Sequence, residues 1–258
     1  MAFSFVGSDG DFRLGRAERV SGLYFPLCAE GGLRSCVTPR LGGDCKLGQE
    51  SFVLRPVSVQ DLEDCMESRN FWCRLSDGRC RSMTGFDAWR LAEPAELTVE
   101  AGLLWHRLCV LDTAFPLESL VTSWIAPSMP LTEITHIVIR NRGAEPVGFT
   151  PTAAVPLYGR SADNLRDHRH VTSLLHRARC VDNGVILRPT WSFDERGHLP
   201  NRNSYFVLGM DGSGAAPREF CTDRLGYTGE GGSLLWPEWV VDERPGVLPG
   251  AELEGRET

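Results

Sequence analysis

Lysine is almost missing from this chain: of 27 basic residues, only Lys46 is one. A general nucleic-acid or anionic-membrane binder needs surplus cations to displace counterions. The formal net charge here is −7 and the pI is near 5.4, so no nucleic acid and no membrane is expected as a partner. The arginine excess is not itself a site, although a guanidinium makes planar two-pronged bonds to carboxylates and phosphates that an ammonium cannot. Long apolar runs are also missing. Asp9, Asp11, Arg13, Arg16, Glu18 and Arg19 break up residues 1–20, which excludes a secretory signal of ordinary form there. No later stretch reaches the roughly 18 apolar residues of a membrane-spanning helix. Nine cysteines, at 28, 36, 45, 65, 73, 80, 109, 180 and 221, include no C-x-x-C pair. Zinc-ribbon and thioredoxin-type readings are therefore unsupported, and free thiols in a cytoplasmic protein are the simplest expectation. There is no G-x-S-x-G elbow, and the glycine-rich residues 229–232 lack the Lys-Ser/Thr of a phosphate-cradling loop.

What is present has the texture of an all-β protein. Short apolar runs are punctuated by Gly, Pro, Asn and Asp at strand-plus-turn intervals. Residues 134–139 and 147–150 read as strand, turn, strand, with β-branched side chains suited to a pleated surface. Residues 117–124 form another candidate, with Leu120, Thr122 and Trp124 on one face. Residues 97–111 read as one longer strand, with a helix as the alternative that Glu100, Ala101 and Leu103–Leu104 leave open, and 206–208 as a shorter strand. Helical signals are few: a single turn capped by Ser58, and a weak pattern over 163–179 without a clear 3.6 period. Many short strands favour a large antiparallel β-sandwich over an α/β fold. Of the tryptophans 72, 89, 105, 124, 191, 236 and 239, most are expected in the core. Trp236 and Trp239, flanking Pro237, are the better candidates for exposure.

The chemistry-bearing stretch is 158–170. It holds Arg160, Asp163, Asn164, Arg166, Asp167, His168, Arg169 and His170 directly after an apolar run. Burying an unpaired charge costs several kcal/mol, so these groups must pair with one another, face water or face a polar ligand. The arginines could clamp an anion bidentately, and the acids and amide could accept from sugar hydroxyls. An internally paired charged loop is the competing reading. The pattern His168-x-His170 with His176 resembles the metal motif of cupin barrels. However, eight residues separate Gly159 from His168, and Leu174 and Leu175 stand where the motif needs Glu. No metal is expected. Asp194 and Glu195, adjacent on a strand, would point to opposite faces and make a poor acid–base pair.

Residues 20–27, 68–72, 100–106, 150–154, 158–177, 192–198 and 229–232 together resemble the N-terminal part of glycoside hydrolase family 94, the cellobiose and oligoglucan phosphorylases. The resemblance covers nearly the whole chain. It implies that residues 1–258 are a super-sandwich domain of galactose-mutarotase type, cut short at its C-terminal end. The helical (α/α)6 barrel that carries the catalytic aspartic acid would lie outside it. In that family inorganic phosphate, a co-substrate rather than a cofactor, attacks the anomeric carbon of a β-linked gluco-oligosaccharide and releases a sugar 1-phosphate with inversion. No residue of this chain matches the catalytic acid. The expectation is therefore a carbohydrate-binding part of a phosphorylase, itself inactive, with the barrel and a second subunit of a homodimer as partners. The eight polar residues of 160–170 would face substrate, phosphate or a docking surface. A stand-alone carbohydrate-binding or scaffold sandwich is the rival expectation.

Overall fold

The computed structural model describes residues 2–20, 22–62, 65–91, 95–167, 169–194 and 197–258. The chain is all-β and its sheets are antiparallel, with three helices of five residues or fewer among the described residues. It divides into two compact units, Met1–Cys45 with Val57–Ala154, and Lys46–Pro56 with Val155–Thr258.

The first unit begins with β1 (Ala2–Phe5), β2 (Phe12–Gly15), β3 (Phe25–Cys28) and β4 (Arg34–Val37). The chain leaves it through β5 (Cys45–Gly48) for β6 (Ser51–Leu54) of the second unit, then returns. There follow β7 (Asn70–Leu75), β8 (Cys80–Ser82), β9 (Glu96–Gly102), β10 (Trp105–Leu111), β11 (Leu117–Ile125), β12 (Glu133–Asn141) and β13 (Phe149–Ala154). Six strands make one sheet in the order β1-β2-β9-β10-β11-β12, and β13-β7-β8 make a second. The stretch 97–111, read as one strand, is two. Exposed Leu103 and left-handed Leu104 (φ 61°) turn the chain back, so that β9 and β10 pair from Trp105↔Gly102 to Leu111↔Glu96. The strand expected at 134–139 is present in β12, whereas the one expected at 147–150 begins only at Phe149 and runs on to Ala154; β12 pairs β11 while β13 pairs β7 in the other sheet.

Strict alternation fixes the inner face of the large sheet. Leu97, Val99 and Ala101 of β9, His106, Leu108 and Val110 of β10, and Leu117, Val121 and Ile125 of β11 are all buried. A one-residue slip would turn that set outward. Each buried aliphatic side chain contributes about 1.5–3 kcal/mol. The second sheet packs onto this face where Cys73 and Leu75 meet Met83, Phe115 and Leu117.

Residues 68–72 act as a structural hub. Ser68 donates to the Arg40 carbonyl at 2.8 Å, and Asn70 Oδ1 accepts from Ser82 and Thr84 while its amide donates to the Phe86 carbonyl. Trp72 is fully buried. Buried Arg69 meets Glu133 through Nε at 2.5 Å and through its second terminal nitrogen at 2.9 Å, and also donates to Ser35 and to the Leu41 carbonyl. Burial pulls the Arg69 pKa down, but the Glu133 carboxylate and neighbouring Cys45 more than offset it, and the value rises. The Cys45 thiol, buried and beside Glu133, is pushed up to about 12. His106 lies in the same core against Phe25, with ring centroids 4.9 Å apart.

The second unit holds α1 (Arg169–Ser173), β14 (Arg177–Val181), β15 (Gly184–Leu187), β16 (Trp191–Asp194), β17 (Gly197–Pro200), β18 (Tyr205–Leu208), α2 (Arg224–Thr228), α3 (Glu238–Val241) and β19 (Glu252–Glu254). Its main sheet runs β18-β15-β14-β19, and β16 pairs β17. Within the Pro-, Gly- and Glu-rich tail, residues 252–254 form a sheet strand with register Arg177↔Glu254 and Arg179↔Glu252. All nine cysteines are free thiols. Among the described residues no helix is long and apolar enough to cross a membrane.

Candidate functional site

The charged stretch 158–170 is held in place by β6. Tyr158 N donates to the Val53 carbonyl, Phe52 N to the Arg160 carbonyl, and Ala162 N to the Gln49 carbonyl, at 2.8–2.9 Å. Gly159 makes this close approach. Its φ is +63°, and a Cβ there would lie 2.8 Å from a Leu187 methyl.

That clamp turns part of the loop inward. Arg160 is 7% exposed; it stacks over the Tyr158 ring at 4.3 Å, donates to the Tyr158 carbonyl at 3.2 Å and to the Thr172 hydroxyl, and lies 3.8 Å from Glu257. Glu257 also meets Arg224 at 3.6 Å. His176 is buried beside Arg160, and neither of its ring nitrogens has a well-formed hydrogen bond. Burial, with the Arg160 charge added, pulls its pKa down to about 3. Asn164 is buried too; it accepts from Ser161 Oγ at 3.2 Å and donates to Asp167 at 2.7 Å. Asp163 is half-buried at the start of a single 3-10 turn, Ala162–Leu165. Arg166 and the body of Asp167 are exposed. The loop thus has an inward half built on Arg160 and Asn164, and an outward half built on Arg166 and Asp167. His168 lies outside the described residues, and of Arg169 and His170 only the backbone, at the start of α1, is described. Glu195 and Arg196 also lie outside them. Among the described residues no group of His, Cys, Asp or Glu could hold a metal ion.

The first unit carries an arrangement that the sequence reading passed over. Alternation that buries Leu108 and Val121 sends Trp105, Arg107, Thr122 and Trp124 to the opposite face of the large sheet. Register places Trp105 directly across from Trp124, and one step along it aligns Arg13, Glu100, Arg107, Thr122 and His136 across five strands. Gly102 lets Trp105 lie down over β9. A Cβ at that position would collide with both the Trp105 indole nitrogen and the Asp11 carboxylate. Glu100 lies between Arg13 (3.9 Å) and Arg107 (3.4 Å), and Arg107 also donates to Thr122 Oγ1 at 3.2 Å. The Arg107 guanidinium sits 5.4 Å from the centroid of the Trp105 ring. Asp11, Phe12, Glu100, Trp105, Arg107, Thr122 and Trp124 line a concavity of about 360 Å³.

Assigning most tryptophans to the core was incorrect: of the seven, Trp72 alone is fully buried. Trp236 is exposed as expected, whereas Trp239 is half-buried and donates to the Pro245 carbonyl at 3.3 Å. The missed signal was legible: Trp105-x-Arg107 and Thr122-x-Trp124 place aromatic and polar groups on the same parity of neighbouring strands.

No protein-family model matches the chain, and a search of curated proteins finds no significant relative.

Proposed function

We propose that this chain is a non-catalytic carbohydrate-binding β-protein whose site is the Trp105–Trp124 face. One observation carries the reading: two indoles on adjacent strands sit in a concavity beside a charged row that can donate and accept. The apolar C–H face of a pyranose ring stacks on an indole, while its hydroxyls need partners of both kinds. Arg107 supplies donors, and Asp11 and Glu100 supply acceptors. A volume of about 360 Å³ lies at the lower end of the range for small-molecule sites, enough for one or two sugar rings. A β-linked gluco-oligosaccharide is the substrate class we favour, and the likeness to family 94 is what supports that choice. On the same ground we propose that the chain serves an inverting phosphorylase whose acid catalyst and phosphate chemistry lie in a helical barrel beyond it. Helix-rich coding sequence downstream of Thr258 would support the enzyme context, and a native stop codon would leave a stand-alone binding protein.

The test is a titration of the chain with cello-oligosaccharides, followed by indole fluorescence and calorimetry. Trp105→Ala and Trp124→Ala should each weaken binding about tenfold, which is 1.4 kcal/mol. If both substitutions leave affinity unchanged, the site is elsewhere; if the parent chain binds no oligosaccharide, the reading fails.

A further inference from the structure

The outer face of the main sheet in the second unit contains a charge arrangement with no carbohydrate-binding explanation. Register pairs Arg177 of β14 with Glu254 of β19, and Arg188 and Ser204 lie one residue beyond the Leu187↔Tyr205 pair of β15 and β18. The Arg188 amide donates to the Arg177 carbonyl at 2.8 Å, and Arg177 faces Glu254. Two arginines therefore stand directly opposite each other. Like charges in that position destabilise a sheet unless something neutralises them. Arg177 is partly neutralised: its Nε lies 3.4 Å from Glu254, and one terminal nitrogen donates to the Leu174 and His176 carbonyls. Arg188 has no carboxylate partner among the described residues. It is exposed, and its Nε donates to neutral Ser204 at 3.1 Å, which leaves its two terminal nitrogens for a ligand. Two residues along each strand, Arg179 is matched by Glu252 at 3.7 Å, so among the described residues the surplus cation of the groove is Arg188. The groove holds about 260 Å³, and Ile186 and Val181 form an apolar part of its lining.

We propose that Arg188, with Arg177 across from it, forms a site for a small oxyanion, either free phosphate or the phosphate group of a sugar ester. A guanidinium fork matches two oxygens of such a group, and charge-assisted bonds of this kind are about twice as strong as neutral ones. An oxyanion seated between the opposed arginines neutralises the repulsion that register otherwise imposes. The neighbouring Ile186 offers apolar surface to the carbon skeleton of an ester.

The experiment measures thermal unfolding of the full chain in rising inorganic phosphate, against potassium chloride of matched ionic strength. A saturable rise of about 2–4 °C at ten times the dissociation constant is expected. Arg188→Ala should abolish it, and Arg188→Lys, which keeps the charge but loses the fork, should weaken it. Circular dichroism checks that both variants fold. Glucose 1-phosphate in place of phosphate separates the sources: tighter binding assigns the site to an ester, equal binding to the free anion. A phosphate effect no larger than that of chloride, or one retained in full by Arg188→Ala, overturns the proposal. Because Trp105 and Trp124 are left intact, their oligosaccharide titration is a separate readout.

Discussion

The two units solve one problem with different strength. Each buries an arginine against a glutamate and sets a neutral histidine beside it. In the first unit Arg69 and Glu133 meet through two nitrogens at 2.5 and 2.9 Å, and His106 is beside them. In the second, Arg160 lies 3.8 Å from Glu257, which it shares with Arg224, while Thr172 and the Tyr158 ring take much of its bonding; His176 is its neighbour. Removing one member of a tight buried pair strands a charge, whereas removing one member of a shared set does not. The comparison therefore ranks the two sites before any measurement.

The largest effect belongs to Arg69→Ala. It leaves Glu133 buried without its partner and the Leu41 carbonyl without that donor, a loss of about 3–5 kcal/mol in denaturant unfolding. The double variant Arg69→Met with Glu133→Leu should recover most of that loss, because apolar replacement of a whole buried pair is often neutral. Arg160→Ala should cost less, about 1–3 kcal/mol, since Glu257 keeps Arg224. Equal losses in the two single variants would dissolve the distinction between tight and shared pairing.

Acid should expose the histidines in both units. Burial first, then the neighbouring Arg69 or Arg160, holds each folded pKa at about 3, below the ordinary value of 6.5. Between those values the unfolded chain binds more protons than the folded one, so stability is lost as pH falls from 6.5 toward 3. Each histidine contributes a slope of up to about 1.4 kcal/mol per pH unit. His106→Leu and His176→Leu should each flatten that acid limb while changing stability little at pH 8. An unchanged slope in both would mean that the rings are not neutral in the fold.

Much of this architecture could be read from residue types. The alternation of 117–125 declares a half-buried strand, and Glu118, Thr122 and Trp124 on its other parity declare a polar, aromatic face. Turn position was harder to read, since Leu103-Leu104 is apolar and nothing in its chemistry announces a reversal; the backbone accepts left-handed Leu104 because the strands on either side pair well. The candidate loop was legible as a concentration of charge but not as two halves. Which side chains turned inward depended on β6, a segment about a hundred residues earlier that clamps Tyr158, Gly159 and Arg160 by backbone bonds. A local pattern carries no trace of such a partner. The Trp105–Trp124 pair was missed for a related reason: each indole taken alone reads as core filler, and only cross-strand register places them side by side.

The smallest predicted effect separates the two halves of that loop. Asn164→Ala removes bonds to Ser161 and Asp167 from a buried position and should cost about 1–3 kcal/mol. Arg166→Ala removes an exposed side chain and should change stability by no more than about 0.5 kcal/mol. A measurable loss at Arg166 would show that the outward half is also structural. With stability unchanged, Arg166→Ala becomes a clean probe of docking and of phosphorolysis in a longer protein that carries this loop. A drop in turnover there would assign the outward half to function, and unchanged turnover would leave the Trp105–Trp124 face as the better-supported site in the chain.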